Sequence, residues 1–504
     1  MRVLGDFDFV IVGGGSAGCI LANRLSADPD KTVALIEAGG EDTYFWIHVP
    51  IGYLYTMNNP QTDWCFQTAE EPGLNGRSLA YPRGKGLGGC SLINGMIYMR
   101  GQSHDYDHWR QLGNAGWGWD DVLPHFLRGE DFFGAADELH ATGGEWRIEY
   151  PRIAWPLLDA FRDAALEVGI PKIDDFNRGN NEGSAYFHVN QRSGRRWNAA
   201  QAFVHPIRKR PNLTVFTHAK AHRIHLAGRR ARGVEARLQD GMARLNARHE
   251  VLLAAGAVGS PHLLQLSGVG PGSVLRDLEI PVLHELVGVG NNLQDHLQLR
   301  LIYKVSGIET LNERANRWLG KIGMGLEYLL LRRGPMPMAP SQVGVFARSD
   351  PGRETPNLQY HVSRCRSTSS ASPCMRFPPS PRRYATCGPN RGALSPPSIR
   401  IPRPSRGSNP TTCRRPPMRK LRSTRSASRD RSVQAARLPP MRRASSYQGQ
   451  TLRPMPSSPR RQVTSAPRYS TPWARRRWDT TPGRSSTIGS ACMAFRDSGS
   501  LTHR

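Results

Sequence analysis

No stretch of about 18 consecutive apolar residues occurs in the 504-residue chain, so nothing in it reads as a membrane-spanning helix. No CxxC pair and no zinc-type Cys/His spacing occurs either. The eight cysteines are scattered, three before Arg364 (Cys19, Cys65, Cys90) and five after it. That pattern excludes a disulfide framework and implies a reducing compartment. Asp6 and Asp8 interrupt the N-terminus before any long apolar run, so no targeting segment is read there. The expectation is a cytoplasmic protein, at most attached peripherally to a membrane.

Acid is what the C-terminal part lacks. Residues 364–504 hold 29 Arg and Lys420 against three Asp and no Glu. They therefore carry the whole formal net charge of +27, and residues 1–363 are balanced at 38 basic and 38 acidic groups. A basic surface woven through the fold, as on a dedicated nucleic-acid protein, is excluded. Apolar residues are also scarce after Arg364. Only 12 of those 141 residues are Leu, Ile, Val or Phe, too few to offset the entropy of ordering the backbone. The expectation for 364–504 is an unstructured Arg/Pro/Ser-rich tail.

The balanced part opens on Phe9-Val10-Ile11-Val12, an apolar run suited to a buried parallel strand. Gly13-Gly14-Gly15-Ser16-Ala17-Gly18 follows, then a helical stretch through Leu25. This is GxGxxG at Gly13, Gly15 and Gly18 in strand–turn–helix context. Its glycines permit a tight turn and close approach of a pyrophosphate to the helix N-terminus. A second apolar run, Thr32–Ile36, ends at Glu37, 19 residues beyond Gly18, where a carboxylate can accept from an adenosine ribose. Dinucleotide binding follows; this unit alone leaves FAD and NAD both open.

Two further stretches are glycine-rich. Residues 83–101 read RGKGLGGCSLINGMIYMRG, where five glycines between Gly84 and Gly95 indicate backbone packed against something flat or bulky. Residues 256–270 read GAVGSPHLLQLSGVG and follow the apolar strand Val251–Ala255. With Glu37-Ala38-Gly39-Gly40 and Gly290–His296, these stretches resemble the glucose–methanol–choline family of FAD-dependent alcohol oxidoreductases, its choline-dehydrogenase-like members above all. The resemblance runs from Phe7 to about His361. One departure is Cys90, where the family usually has Ser or Thr.

The resemblance implies an α/β fold: a Rossmann-like FAD-binding domain with a parallel sheet (1–118 and 231–297) and an α+β substrate-binding domain (119–230 and 298–363). It implies that Gly13, Gly15, Ser16, Ala17 and Gly18 face the FAD pyrophosphate, and Glu37 and Ala38 the adenosine. Gly84, Gly88, Gly89 and Asn94 then line the flavin side, and Ala221 sits where backbone meets adenine. The implied reaction oxidises choline or another primary alcohol to an aldehyde by hydride transfer to flavin N5. The acceptor stays open between a quinone, a cytochrome and oxygen.

The family's proton-accepting histidine lies in a later His-Pro-x-Gly segment, and this chain contains no such tetrad, so no catalytic residue is assigned. His296 therefore reads as structural. His218, His222 and His225 do not form a metal site, because His222 and His225 point to opposite faces of a strand. Trp117, Trp119 and Tyr106 read as core rather than as pocket walls.

The tail itself reads as GC-rich DNA translated out of register. The codons of Thr471-Pro472-Trp473-Ala474-Arg475, stepped back one nucleotide, permit His-Pro-Val-Gly-Thr. Residues 497–504, shifted in the same way, permit another family-like stretch. A frameshift near residues 362–366 follows as the expectation, leaving an FAD-binding remnant without activity. A rival reading, a basic arm on nucleic acid, is disfavoured: the tail has few aromatics for stacking and no RGG or RS repeats.

Overall fold

The computed structural model describes residues 1–363 apart from 72, 74, 300 and 306–317, and beyond Ser363 only 383–391 and 493–494. In chain order the elements used below are β1 (Arg2–Val12), α1 (Ser16–Leu25), β2 (Val33–Ile36), α2 (Ser103–Gln111) and α3 (Trp119–Gly129). Then come α4 (Pro156–Glu167), β3 (Gly183–Tyr186), β4 (Leu213–Phe216), β5 (Lys220–Ala227), β6 (Arg230–Leu238), β7 (Gly241–Leu253) and α5 (Gly256–Leu266). The set closes with β8 (Leu301–Val305), α6 (Trp318–Leu331), β9 (Val343–Ala347), β10 (Leu358–Ser363) and β11 (Arg383–Arg391).

The first sheet runs in the order β4-β2-β1-β7-β6-β5. Its first four strands are parallel, with Phe9–Val12 in register against Val33–Ile36 on one side and Glu250–Leu253 on the other. The long β7 then turns the sheet antiparallel through β6 and β5. Alternation along β1 sends Val10 and Val12 to one face and Ile11 to the other. Both faces are covered. Leu263 and Leu264 of α5 pack on the first, and Cys19 and Ala22 of α1 on the second. That double coverage is why β1 and β2 read as continuous apolar runs. Ile11 and Leu35 are fully buried, each contributing roughly 1.5–3 kcal/mol of transfer free energy.

The second sheet is antiparallel, β11-β10-β9-β3, with β8 also paired to β11. Leu158 of α4 packs with Val343 and Val362 on it. The mixed α/β architecture expected from the sequence is present. One boundary differs. The sequence places 119–230 in the substrate domain, yet β4 and β5 hydrogen-bond into the first sheet. Asn212 explains the join. Its carbonyl accepts from the Val33 amide at 2.8 Å, and Leu213–Phe216 then continues in parallel register with β2.

In the tail, 383–391 pairs with β10, and 493–494 pairs with Leu252 and Leu253. Backbone ladders of this kind make few demands on side-chain identity. The rest of the expectation for the tail lies outside the described residues.

Candidate functional site

The loops off the C-terminal ends of β1 and β2 meet the 83–95 loop, and glycines make the meeting possible. Gly13 has φ +102°, and a Cβ there would lie 2.6 Å from the Ala254 carbonyl oxygen. A Cβ on Gly18 would lie 1.9 Å from the Gly13 carbonyl oxygen. Both positions are therefore demanded by the chain's own packing. Gly15 is different: its nearest neighbours to a Cβ are 3.9 and 4.0 Å away. A side chain there would meet ordinary van der Waals contacts and no clash. Gly15 is also the N-cap of α1 and supplies no side-chain cap, so the first amides of the helix, from Ser16 and Ala17 on, offer donors and a partial positive charge there.

The 83–95 loop closes directly on this turn. The Gly88 amide donates to the Gly14 carbonyl at 2.7 Å. A Cβ on Gly89 would come within 2.6 Å of the Gly15 Cα, and one on Gly84 within 2.1 Å of the Gly89 carbonyl oxygen. The bulky object that these glycines accommodate is thus, in the first place, the chain's own backbone. Cys90 and Asn94 stand exposed on the outer side of the loop. The Cys90 thiol accepts the Gly84 amide at 3.4 Å. Asn94 Oδ1 accepts from the Met96 amide at 3.1 Å and from Arg196 Nη1 at 2.9 Å.

Glu37 ties three turns together. Its Oε2 accepts from the Gly14 amide at 2.8 Å, and its Oε1 from Gly39 at 2.8 Å and Gly86 at 3.1 Å. Burial pushes this carboxyl above its ordinary range, against the pull of those amides. A carboxylate has about four acceptor sites; three are occupied, leaving one for a ribose hydroxyl. Just beyond, the Ala219 amide donates to the Glu37 carbonyl and the His218 amide to the Gly39 carbonyl, both at 2.8 Å. This brings the start of β5, where half-buried Ala221 pairs with Ala236, beside the end of β2. A cavity of about 220 Å³ opens there, lined by Ala38, Gly40, Tyr44, Thr62, Lys85 and His218 among others.

Other histidines sit elsewhere. His225 Nδ1 accepts from Arg244 Nη2 at 2.7 Å, and no group of metal-ligating side chains occurs among the described residues. His296 is exposed. Burial, then the neighbouring His296, pushes the His361 imidazole down to about 4. Trp117, expected in the core, is instead exposed, while the rings of Tyr106 and Trp119 meet at a tilt, centroids 5.8 Å apart, between α2 and α3.

Two features escaped the sequence reading. Arg196 is fully buried, with no carboxylate partner among the described residues. The second is a buried ionic network in which His140 Nε2 meets Asp175 at 2.8 Å and Nδ1 meets Glu130 at 3.1 Å. Arg100 pairs with the same Glu130 at 2.8 Å. Burial alone would lower the His140 value, but the bonds to Asp175 and Glu130 carry it up to about 9. Arg is mostly exposed in proteins and His intermediate, so nothing in the local pattern singled these residues out.

Known proteins with this arrangement are numerous. The chain is 40% identical over 361 residues to an alcohol dehydrogenase [acceptor] of Pseudomonas putida, covering 70% of this chain and 65% of that one. It is 40% identical over 356 residues to an oxygen-dependent choline dehydrogenase of Brucella anthropi, covering 71% and 64%. The chain thus spans just under two thirds of these relatives' length. Among solved structures, pyridoxine 4-oxidase from Mesorbium loti superposes with a TM-score of 0.67 at 32% identity, over 76% of this chain and 71% of that one. Residues 7–298, more than half of the 504, match the GMC oxidoreductase family, and the chain belongs to that family.

Proposed function

We propose that residues 1–363 are the FAD-holding part of an oxidoreductase acting on the CH–OH group of an alcohol, choline or another primary alcohol. The observation that carries the reading is the helix N-terminus at Gly15, which no side chain caps and where a Cβ would meet only ordinary contacts at 3.9 and 4.0 Å. The cradle suits the group: an extended dinucleotide needs an anion site, an acceptor for ribose and a neighbouring cavity. Gly15, Ser16, Ala17 and Gly18 would hold the pyrophosphate, Glu37 and Ala38 the ribose, and Ala221 the adenine edge. Gly84, Gly88, Gly89 and Asn94 would flank the flavin end. Bound there, the flavin supplies the hydride acceptor, N5.

What the chain's own residues supply is orientation and exclusion of water, not a base. Oxidation of an alcohol needs a group to take the hydroxyl proton as the hydride leaves. The family's His-Pro-x-Gly tetrad is absent from this chain, and His361, at about 4, is a weak base at neutral pH. The chain as it stands is therefore an FAD binder that does not turn over alcohol. Purified chain should quench added FAD fluorescence at one equivalent and show no alcohol-dependent dye reduction. The same gene, restored to frame across codons 355–375, should quench FAD and reduce the dye in the presence of alcohol. Failure to take up FAD in either form sinks the reading.

A further inference from the structure

Arg196 is the largest fully buried side chain among the described residues. Its Nη1 donates to the Ser91 carbonyl at 3.1 Å and to Asn94 Oδ1 at 2.9 Å, which clasps the loop that exposes Cys90. The Ser91 hydroxyl completes the join. It donates to the Gly88 carbonyl at 2.6 Å and accepts from the Ala199 amide at 2.9 Å. The remaining nitrogens, Nε and Nη2, are buried and have no hydrogen-bond partner among the described residues. Across the hairpin, Gln191 pairs in register with Arg196, and its Oε1 also lacks a partner while its Nε2 donates to the Pro337 carbonyl at 2.7 Å.

A buried cation with donors left unmade is strongly unfavourable unless something electron-rich completes its shell. The loop it holds is the one read above as flanking the flavin end of the dinucleotide. We propose that Arg196 is a positioning residue for that end, fixing the Ser91–Asn94 turn and setting a buried positive charge behind it that favours the electron-rich, reduced form of the bound ring system. The proposal rests on the dinucleotide reading and adds a role for a residue that lies outside the glycine motifs. Arg100, the other buried arginine among the described residues, is neutralised by Glu130 and has no such surplus.

The two halves of the ligand separate this role from a general structural one. ADP probes the Gly15 end alone, whereas FAD probes both ends. Titrations of the full chain with each ligand are compared for wild type, R196M and R196K. ADP affinity should stay within twofold in all three, while FAD affinity falls at least tenfold in R196M and less in R196K, which keeps the charge but loses the planar fork. The preference of R196M for reduced over oxidised FAD should also fall about tenfold, a potential lower by about 30 mV for two electrons. If R196M does not fold, R196K carries the comparison, with FAD affinity lowered and ADP affinity kept. Equal losses for ADP and FAD, or an unchanged potential, overturn the proposal alone. Wild type that binds neither ligand overturns the dinucleotide reading and this inference with it.

Discussion

Gly15 and Gly18 are three residues apart and both glycine, yet they are glycine for different reasons. Gly18 is excluded from bearing a side chain by a carbonyl oxygen 1.9 Å from the Cβ position. Gly15 has an ordinary φ of −75°, and a Cβ there would meet only ordinary contacts at 3.9 and 4.0 Å, so the fold itself does not require its side chain to be absent. Gly18→Ala should therefore destabilise the fold by roughly 1–3 kcal/mol or more, as overpacking does. Gly15→Ala should leave the thermal midpoint within about a degree and weaken FAD binding at least tenfold. Thermal melts with and without FAD check both. The GxGxxG spacing was legible in the sequence; this division of labour was not, because it depends on the distance to Ala254 and Gly89 across the fold.

At the scale of elements, α1 and β2 stand where the apolar runs place them, and β1 extends the expected Phe9–Val12 run back to Arg2. β4 belongs to the first sheet, a membership that local pattern does not reveal. Its partner β2 lies some 180 residues earlier, and local pattern says nothing about so distant a pairing. The chemistry that fixes it is Asn212, whose Nδ2 donates to the carbonyls of Ser26 (3.2 Å), Asp28 (2.8 Å) and Lys31 (2.8 Å). One amide thus closes the α1–β2 connection and seats β4 beside it. Asn212→Ala should cost about 1–3 kcal/mol by leaving these carbonyls short of a donor. Urea unfolding monitored by tryptophan fluorescence gives the value; an unchanged midpoint contradicts the role. The Arg196 hairpin was illegible for a related reason: a run of arginines reads as solvated surface until packing shows otherwise.

Across the whole molecule the charge falls in two kinds of place. The +27 of residues 364–504 was visible by counting, whereas the balanced part hides its own ionic core. His140 there joins Glu130 and Asp175, which with Arg100 links segments from residues 100 to 175. Its value is raised from 6.5 to about 9 by folding, so the stability it contributes is fully present below about 6.5 and is lost as pH rises through about 9. Wild type should lose urea resistance between pH 7 and 10 relative to H140Q, whose glutamine cannot take up the proton. Parallel pH profiles for the two chains would remove His140 from this account.

Glu37 has a kinetic consequence that its distances already contain. Because one carboxylate holds the amides of Gly14, Gly39 and Gly86, none of these turns can open to solvent without breaking a shared anchor. Their amide hydrogens belong to a single cooperative opening event and should exchange with deuterium at a common rate, although 72 residues separate the first from the last. The three turns are thereby held in one shape by a single side chain.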